Sequence, residues 1–286
     1  MRTSLIALGF VLAGTSAAGQ GTFQFRYDPA PGRAVHTLTE MRTVTTMNGL
    51  PRVPDGTALE IEARIFSHER TLGVNADGRR VDVGVDSVRV RQRDGASAWT
   101  DVAAPAFAGR SARAVLDEYL HVVAIETSAA EDGALLRVLT AWSANLGFAF
   151  PDSAVAVGST FRTGAQMPFD VTLSDAVGLA VGEVLLGDLQ LTLDSVVPRG
   201  ADTLAYLHFA GQFSPRTIES SGEDGTRAHA FEGGFAGRLL WSTGWDAFVS
   251  AAMRVRVTGQ LHQESAAGVV NAMVEWDATL VHRVRS

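Results

Sequence analysis

The chain of 286 residues contains no cysteine, so neither a disulfide framework nor a thiol nucleophile or thiolate metal site is available to it. It contains no lysine either: all 24 basic residues are arginine. A P-loop, a Schiff-base lysine and a Ser-Lys dyad are thereby excluded. Positive charge is in deficit, with 31 acidic residues, a net charge of −7 and a pI near 5.5. Nucleic-acid binding rests on clustered cations that release counterions, so no nucleic-acid partner is expected. Only three tyrosines are present, too few for the aromatic girdles of an integral outer-membrane barrel, and the C-terminal Val284-Arg285-Ser286 lacks a final aromatic. Charged residues make up 19% of the chain and hydrophobic ones 46%, enough to build a core and too apolar for a disordered chain.

Residues 1–18 read as an export signal. Met1-Arg2-Thr3-Ser4 carries the positive charge, Leu5–Gly14 is the apolar run, and Ser16-Ala17-Ala18 supplies the small residues of a cleavage site before Gly19. The run is too short to cross a bilayer as a helix, which takes about 20 residues. After it, the longest low-charge stretch, Ala176–Gly187, is broken by Glu183. The expectation is an exported protein, periplasmic or extracellular, with no transmembrane segment after signal cleavage and at most peripheral contact with the envelope.

The dominant apolar period is two. Leu59, Ile61, Ala63 and Ile65 alternate with Glu60, Glu62, Arg64 and Phe66, giving one strand an oily face and a charged face. Asn75-Ala76-Asp77-Gly78 predicts a turn, after which Val81, Val83 and Val85 slip register to Val88 and Val90, so a bulge is expected near Asp86-Ser87. Further strands follow at Leu189–Leu193, Met253–Val257 and Val274–Leu280. Thr203–Phe213 reads as a central strand, apolar on both faces, and Glu219–Gly225 as a mobile loop. The one helical spacing is Leu135, Leu139, Trp142, Leu146, with Ser128 and Glu131 as a capping box and Gly147 as a stop. The expected fold is mainly β with one main helix: a curved antiparallel sheet or half-barrel, with a first β-rich half at 19–127, the helix at 128–147 and a second β-rich half at 148–286 in one integrated domain. Short echoes suggest that the halves are duplicates: Phe107–Arg110 with Phe235–Arg238, Val85–Val88 with Leu193–Val196, and Pro31–Arg33 with Val157–Ser159.

An export signal, a Pro-Gly lead into the strand Val35–Met47, Phe150-Pro151 before Val157-Gly158, and the run Gly233–Thr243 together resemble a group of exported bacterial β-rich proteins with a domain of unknown function. More coarsely, the strand-rich plan with an inserted helix is similar to LolA/LppX-like half-barrels. That resemblance implies carriage of lipid or lipoprotein through the envelope, and it brings no catalytic residue.

Motifs of chemistry are sparse. His36, His68, His121, His208, His229, His262 and His282 form no HExxH pair, no GxSxG elbow exists, and no cofactor or metal is expected. Glu60 and Glu62 sit at a separation compatible with glycosidic acid/base work, but Arg64, His68 and Arg70 continue the same face, which reads as solvated mixed charge. Asp82, Asp86 and Asp94 lack the order of a calcium loop. The site expectation is a groove or lid formed by Leu135, Leu139, Trp142, Leu146, Trp241 and Trp245. It would hold an apolar ligand, such as a lipid, an acyl chain or a lipoprotein, without catalysis. The alternatives are a structural or protein-interaction module of the envelope, and an exported hydrolase.

Overall fold

The computed structural model describes residues 21–50, 53–76, 78–103, 108–117, 122–126, 150–172, 180–222, 225–265 and 268–285. The predicted signal, and the predicted helix with Leu135, Leu139, Trp142 and Leu146, lie outside the described residues. Among these, every regular element is a strand: β1 (Thr22–Phe23), β2 (Ala34–Asn48), β3 (Thr57–Asn75), β4 (Gly78–Asp94), β5 (Thr100–Val102), β6 (Ser111–Leu116), β7 (Val122–Ile125), β8 (Val155–Ala156), β9 (Thr160–Thr172), β10 (Ala180–Arg199), β11 (Asp202–Gly222), β12 (Gly225–Ser242), β13 (Ala247–Ser265) and β14 (Gly268–Arg285).

β1 pairs with β8, and the other twelve strands form one antiparallel sheet. Its order is β7-β6-β4-β3-β2-β14-β13-β12-β11-β10-β9, with β5 beside β4, so the sheet is an open curve with β7 and β9 at its edges. Two meanders, β2 to β4 and β9 to β14, meet at a seam where β14 pairs with β2 from Asn48–Met273 to His36–Arg285.

The alternation seen in the sequence is realised. In β13, Ala251, Met253, Val255 and Val257 are buried while Arg254 and Arg256 face water. The hairpin at Asn75–Gly78 is present, and Asp86 is the extra residue of a bulge between the Phe66–Ser87 and Ser67–Val85 pairs. Asp194 bulges in the same way between Leu193–Leu207 and Ser195–Tyr206. Gly32 and Gly158 both take positive φ in turns, whereas Gly109 lies in a turn before β6 and Gly237 lies inside β12. Two expectations are corrected. β11 is internal but not apolar on both faces: Leu207 and Phe209 are buried, while Tyr206 and His208 are exposed, because only one face of this sheet meets the core. Glu219–Gly222 is not a free loop, since β11 continues through it and pairs as far as Gly222–Gly225.

Aromatic rings lie close over glycines on facing strands. Gly211 is opposite Phe235, Phe209 opposite Gly237, and Phe231 opposite Gly259. A Cβ on Gly237 would sit 2.6 Å from the Phe209 ring and 2.2 Å from the Ala252 carbonyl oxygen. The missing side chains let the sheet curl tightly and let the rings cover its backbone. Gly237→Val is expected to lower stability by about 1–3 kcal/mol through overpacking, read from the urea midpoint. A variant as stable as the parent would show that the ring is free to lift away.

Candidate ligand-binding concavity

Successive pairings carry one row of inward side chains across eight strands: Leu193, Leu207, Leu239, Ala251, His282, Thr39, Ile65 and Val88. All eight are buried. The next row runs Phe161, Leu191, Phe209, Gly237, Met253, Leu280, Met41, Ala63, Val90. The concave face is therefore a largely apolar lining, interrupted at the seam by Thr39 and His282, and most of its buried apolar side chains belong to one cluster.

One end of this lining is plugged by a strap that precedes β2. Phe23, Phe25, Tyr27 and Pro29 are buried, while Gln24, Arg26 and Asp28 face out, a two-residue period outside the main sheet. Phe25 stacks on Phe150 with centroids 4.7 Å apart, and Trp241 meets the edges of both, with Phe248 5.1 Å away. Trp241, 1% exposed, is thus a wall of this plug. Trp245 lies elsewhere, in the turn after β12. The Arg33 guanidinium sits 4.8 Å from its ring centroid and donates to the Gly244 carbonyl at 2.6 Å. The rings of the two tryptophans have different partners, Arg33 for Trp245 and Phe25, Phe150 and Phe248 for Trp241. Asp202 fixes that turn by accepting from Ser242 Oγ and the Gly244 amide, each at 2.6 Å. Burial alone would raise its pKa, but these donors, with Thr243, hold it below the usual value.

The strap is clamped by polar groups. Tyr27 donates its hydroxyl to Glu69, whose pKa burial pushes up. Arg79 donates to the carbonyl oxygens of Tyr27 and Pro29, at 3.3 and 3.1 Å, and pairs with Asp28. Further along, Thr37 and Ser67 hydroxyls are 2.6 Å apart. Thr39 Oγ1 lies 3.0 Å from His282 Nδ1, and burial lowers the His282 pKa to about 4. Thr43 and Thr45 complete this hydroxyl line on β2, each 4% exposed.

The convex face is ionic. Arg42 and Arg93 each reach Glu60 at 2.6 Å, and Arg91 reaches Glu62 at 2.5 Å. The hydrogen bond from Arg42, joined by that from Arg93, holds the Glu60 carboxyl below the usual range, the reverse of what a general acid needs. Registry also gathers histidines that are distant in sequence. His36 faces His68 across β2 and β3, and His68 Nδ1 lies 2.6 Å from Asp86, with Nε2 3.6 Å from Asp82. The other bulge repeats the arrangement, with His208 Nδ1 2.6 Å from Asp194. Among the described residues no such group is arranged to hold a metal ion. The signal for these pairs was the bulge itself, since a bulged Asp turns its carboxylate toward the neighbouring strand.

These features define a class of fold: a large, open, curved antiparallel sheet with an apolar concave lining and a charged convex face. No protein-family model matches the chain, and no curated protein matches it. Among solved structures it is similar to lipovitellin, in a structure described by its lipid-protein interactions, with 9% identity and a TM-score of 0.50 over 91% of this chain and 26% of that one. This chain therefore spans about a quarter of the lipovitellin chain's length. An outer membrane channel from Pseudomonas putida F1 aligns over 91% of this chain and 98% of that one, at 10% identity and a TM-score of 0.20. The lipovitellin likeness concerns the fold alone, the coarse part of the expected resemblance to lipid-carrying half-barrels.

Proposed function

We propose that this is an exported, non-enzymatic protein that holds an apolar ligand, a lipid or acyl chain, against the concave face of its curved sheet. The observation that carries the reading is the apolar lining that runs across the strands on either side of the β14–β2 seam, with rings laid over glycines. Such a surface gains free energy by removing hydrocarbon from water, at about 25 cal/mol for each Å² buried. The lipovitellin-like fold supports it by analogy only. The test is mass spectrometry of the organic extract from protein purified gently from its native source. Co-purifying lipid is expected; an empty protein that also fails to retain an apolar dye would overturn the reading. The second reading, an envelope interaction module, draws on the ionic convex face, where Arg254 and Arg256 share Asp277 at 2.5 and 3.2 Å. It would gain if the empty protein pulled down an envelope component through that face.

A further inference from the structure

Eight of the chain's 24 arginines share one band of the convex face. Within three adjacent rows, Arg238 lies on β12, Arg254 and Arg256 on β13, Arg42 on β2 and Arg64 on β3, while β4 carries Arg89, Arg91 and Arg93. Spanning β12 to β4, the band measures about 24 Å by 14 Å. The carboxylates within it are Glu40, Glu60, Glu62 and Asp277, so positive charge is in excess there on a protein whose net charge is −7. Asp101 stands at the margin beside Arg91, and Glu232 and Glu275 stand one row beyond. The acids also lie lower. Their side chains are 13–36% exposed, against 51–68% for Arg42, Arg64, Arg91, Arg254 and Arg256. Glu60 serves both Arg42 and Arg93, and Asp277 both Arg254 and Arg256. Arg89 and Arg238 are exposed and, among the described residues, pair with no acid. Arg89 stands directly opposite Arg64, a like-charge placement that costs the sheet stability. A partner meeting this face therefore meets guanidinium groups first. The carboxylates hold Arg91, Arg93 and Arg254 through Nε and Nη2, so a phosphate can still take the Nη1 edge. Among the described residues no exposed large apolar side chain falls within the band, which lacks the apolar centre of a protein–protein interface.

We infer that this band docks the protein on a bilayer of anionic phospholipid, with the arginines toward the phosphates and the concavity turned away. This rests on the interaction reading of the convex face, names its partner, and is independent of what the concavity holds. Headgroup phosphates move freely in the plane of a bilayer, so they can gather under a charged face that offers no shaped pocket. The remainder of the chain is acidic and is repelled by the same surface, which sets the orientation. The test is co-sedimentation of the protein, purified from its native source, with vesicles of mixed phosphatidylglycerol and phosphatidylcholine, against phosphatidylcholine alone. Binding is expected to the mixed vesicles only, and to be lost in about 1 M salt, where charges are screened beyond about 3 Å. The double variant R89Q/R238Q breaks no ion pair among the described residues and should keep the parent's urea midpoint. It should nevertheless bind the mixed vesicles about 25-fold more weakly, at about fivefold for each arginine near an anionic surface. Arg199→Gln removes a charge at the end of β10, beyond a screening length of about 10 Å from the band, and should change binding less than about twofold. Equal binding to both vesicles would place the contact on apolar surface, and anionic binding that R89Q/R238Q retains would place it on other residues; either overturns the inference. Absence of vesicle binding overturns it too, and retention on a polyglutamate resin that R89Q/R238Q loses would then assign the band to an acidic protein. Lipid held in the concavity is read separately, from the organic extract, and stands or falls apart from these results.

Discussion

Trp241→Ala is expected to lower stability by about 3–5 kcal/mol, the range for truncating a large buried aromatic. The indole is 1% exposed and joins three parts of the chain that are remote in sequence: Phe25 from the strap, Phe150 from the segment before β8, and Phe248 from β13. Removing it deletes edge-to-face contacts worth roughly 0.5–1.5 kcal/mol each beyond area burial, and leaves a void that strand ends cannot close without breaking their ladder. The Tyr27 and Arg79 clamps hold the C-terminal part of the strap, whereas Phe25 leans on this ring cluster, so protection from proteolysis near Gln24 and Arg26 is expected to fall together with the urea midpoint. Trp241→Phe, which keeps a ring, should cost less than half as much. A loss below 1 kcal/mol for the alanine variant would mean that this end of the concavity is loosely filled, and the plug would have to be abandoned.

What could be read from the residues was whatever depends on local period. The bulge at Asp86 was visible because one strand face slips by one residue between Val85 and Val88, and a pleated strand can absorb that only by an extra residue. The curved antiparallel plan followed from alternation and short turns. Registry between distant strands could not be read, and the candidate site depends on it. Whether His282 lies opposite Thr39 is decided by how β14 lands on β2, 243 positions away in the chain, and no local pattern encodes that number. Trp241 and Trp245 looked like a pair because only three residues separate them, but a turn sends their rings to different places. The strap was missed for a subtler reason. Its Phe23, Phe25, Tyr27 alternation is present in the sequence, but no second alternating run stands beside it across a turn, so local pattern alone does not place it.

Acid is expected to weaken the protein through His282 at the seam of the two meanders. Its pKa in the fold is about 4, and burial is the cause. The unfolded chain releases the same proton near 6.5. Between those values the unfolded state binds more protons than the folded one, so stability rises with pH through the window and is lost as pH falls from about 6.5 toward 4. The full loss is about 3 kcal/mol, and about 2 kcal/mol of it should be gone between pH 7 and pH 5. Glu69 works in the opposite sense, since burial raises its carboxyl pKa and protonation relieves that cost as pH drops. The comparison is therefore made against His282→Leu, which retains Glu69 and should show a flatter profile of urea midpoint against pH. Parallel profiles for the two proteins would sink the assignment. If the difference appears, protonation acts where β14 joins β2, the pairing that holds the first meander to the second. Acid would then strain the ladder beside Thr39 and the hydroxyl line before it reached the leucine-rich strands β10 to β12, so the concavity should lose its hold on a ligand at a higher pH than the sheet loses its fold.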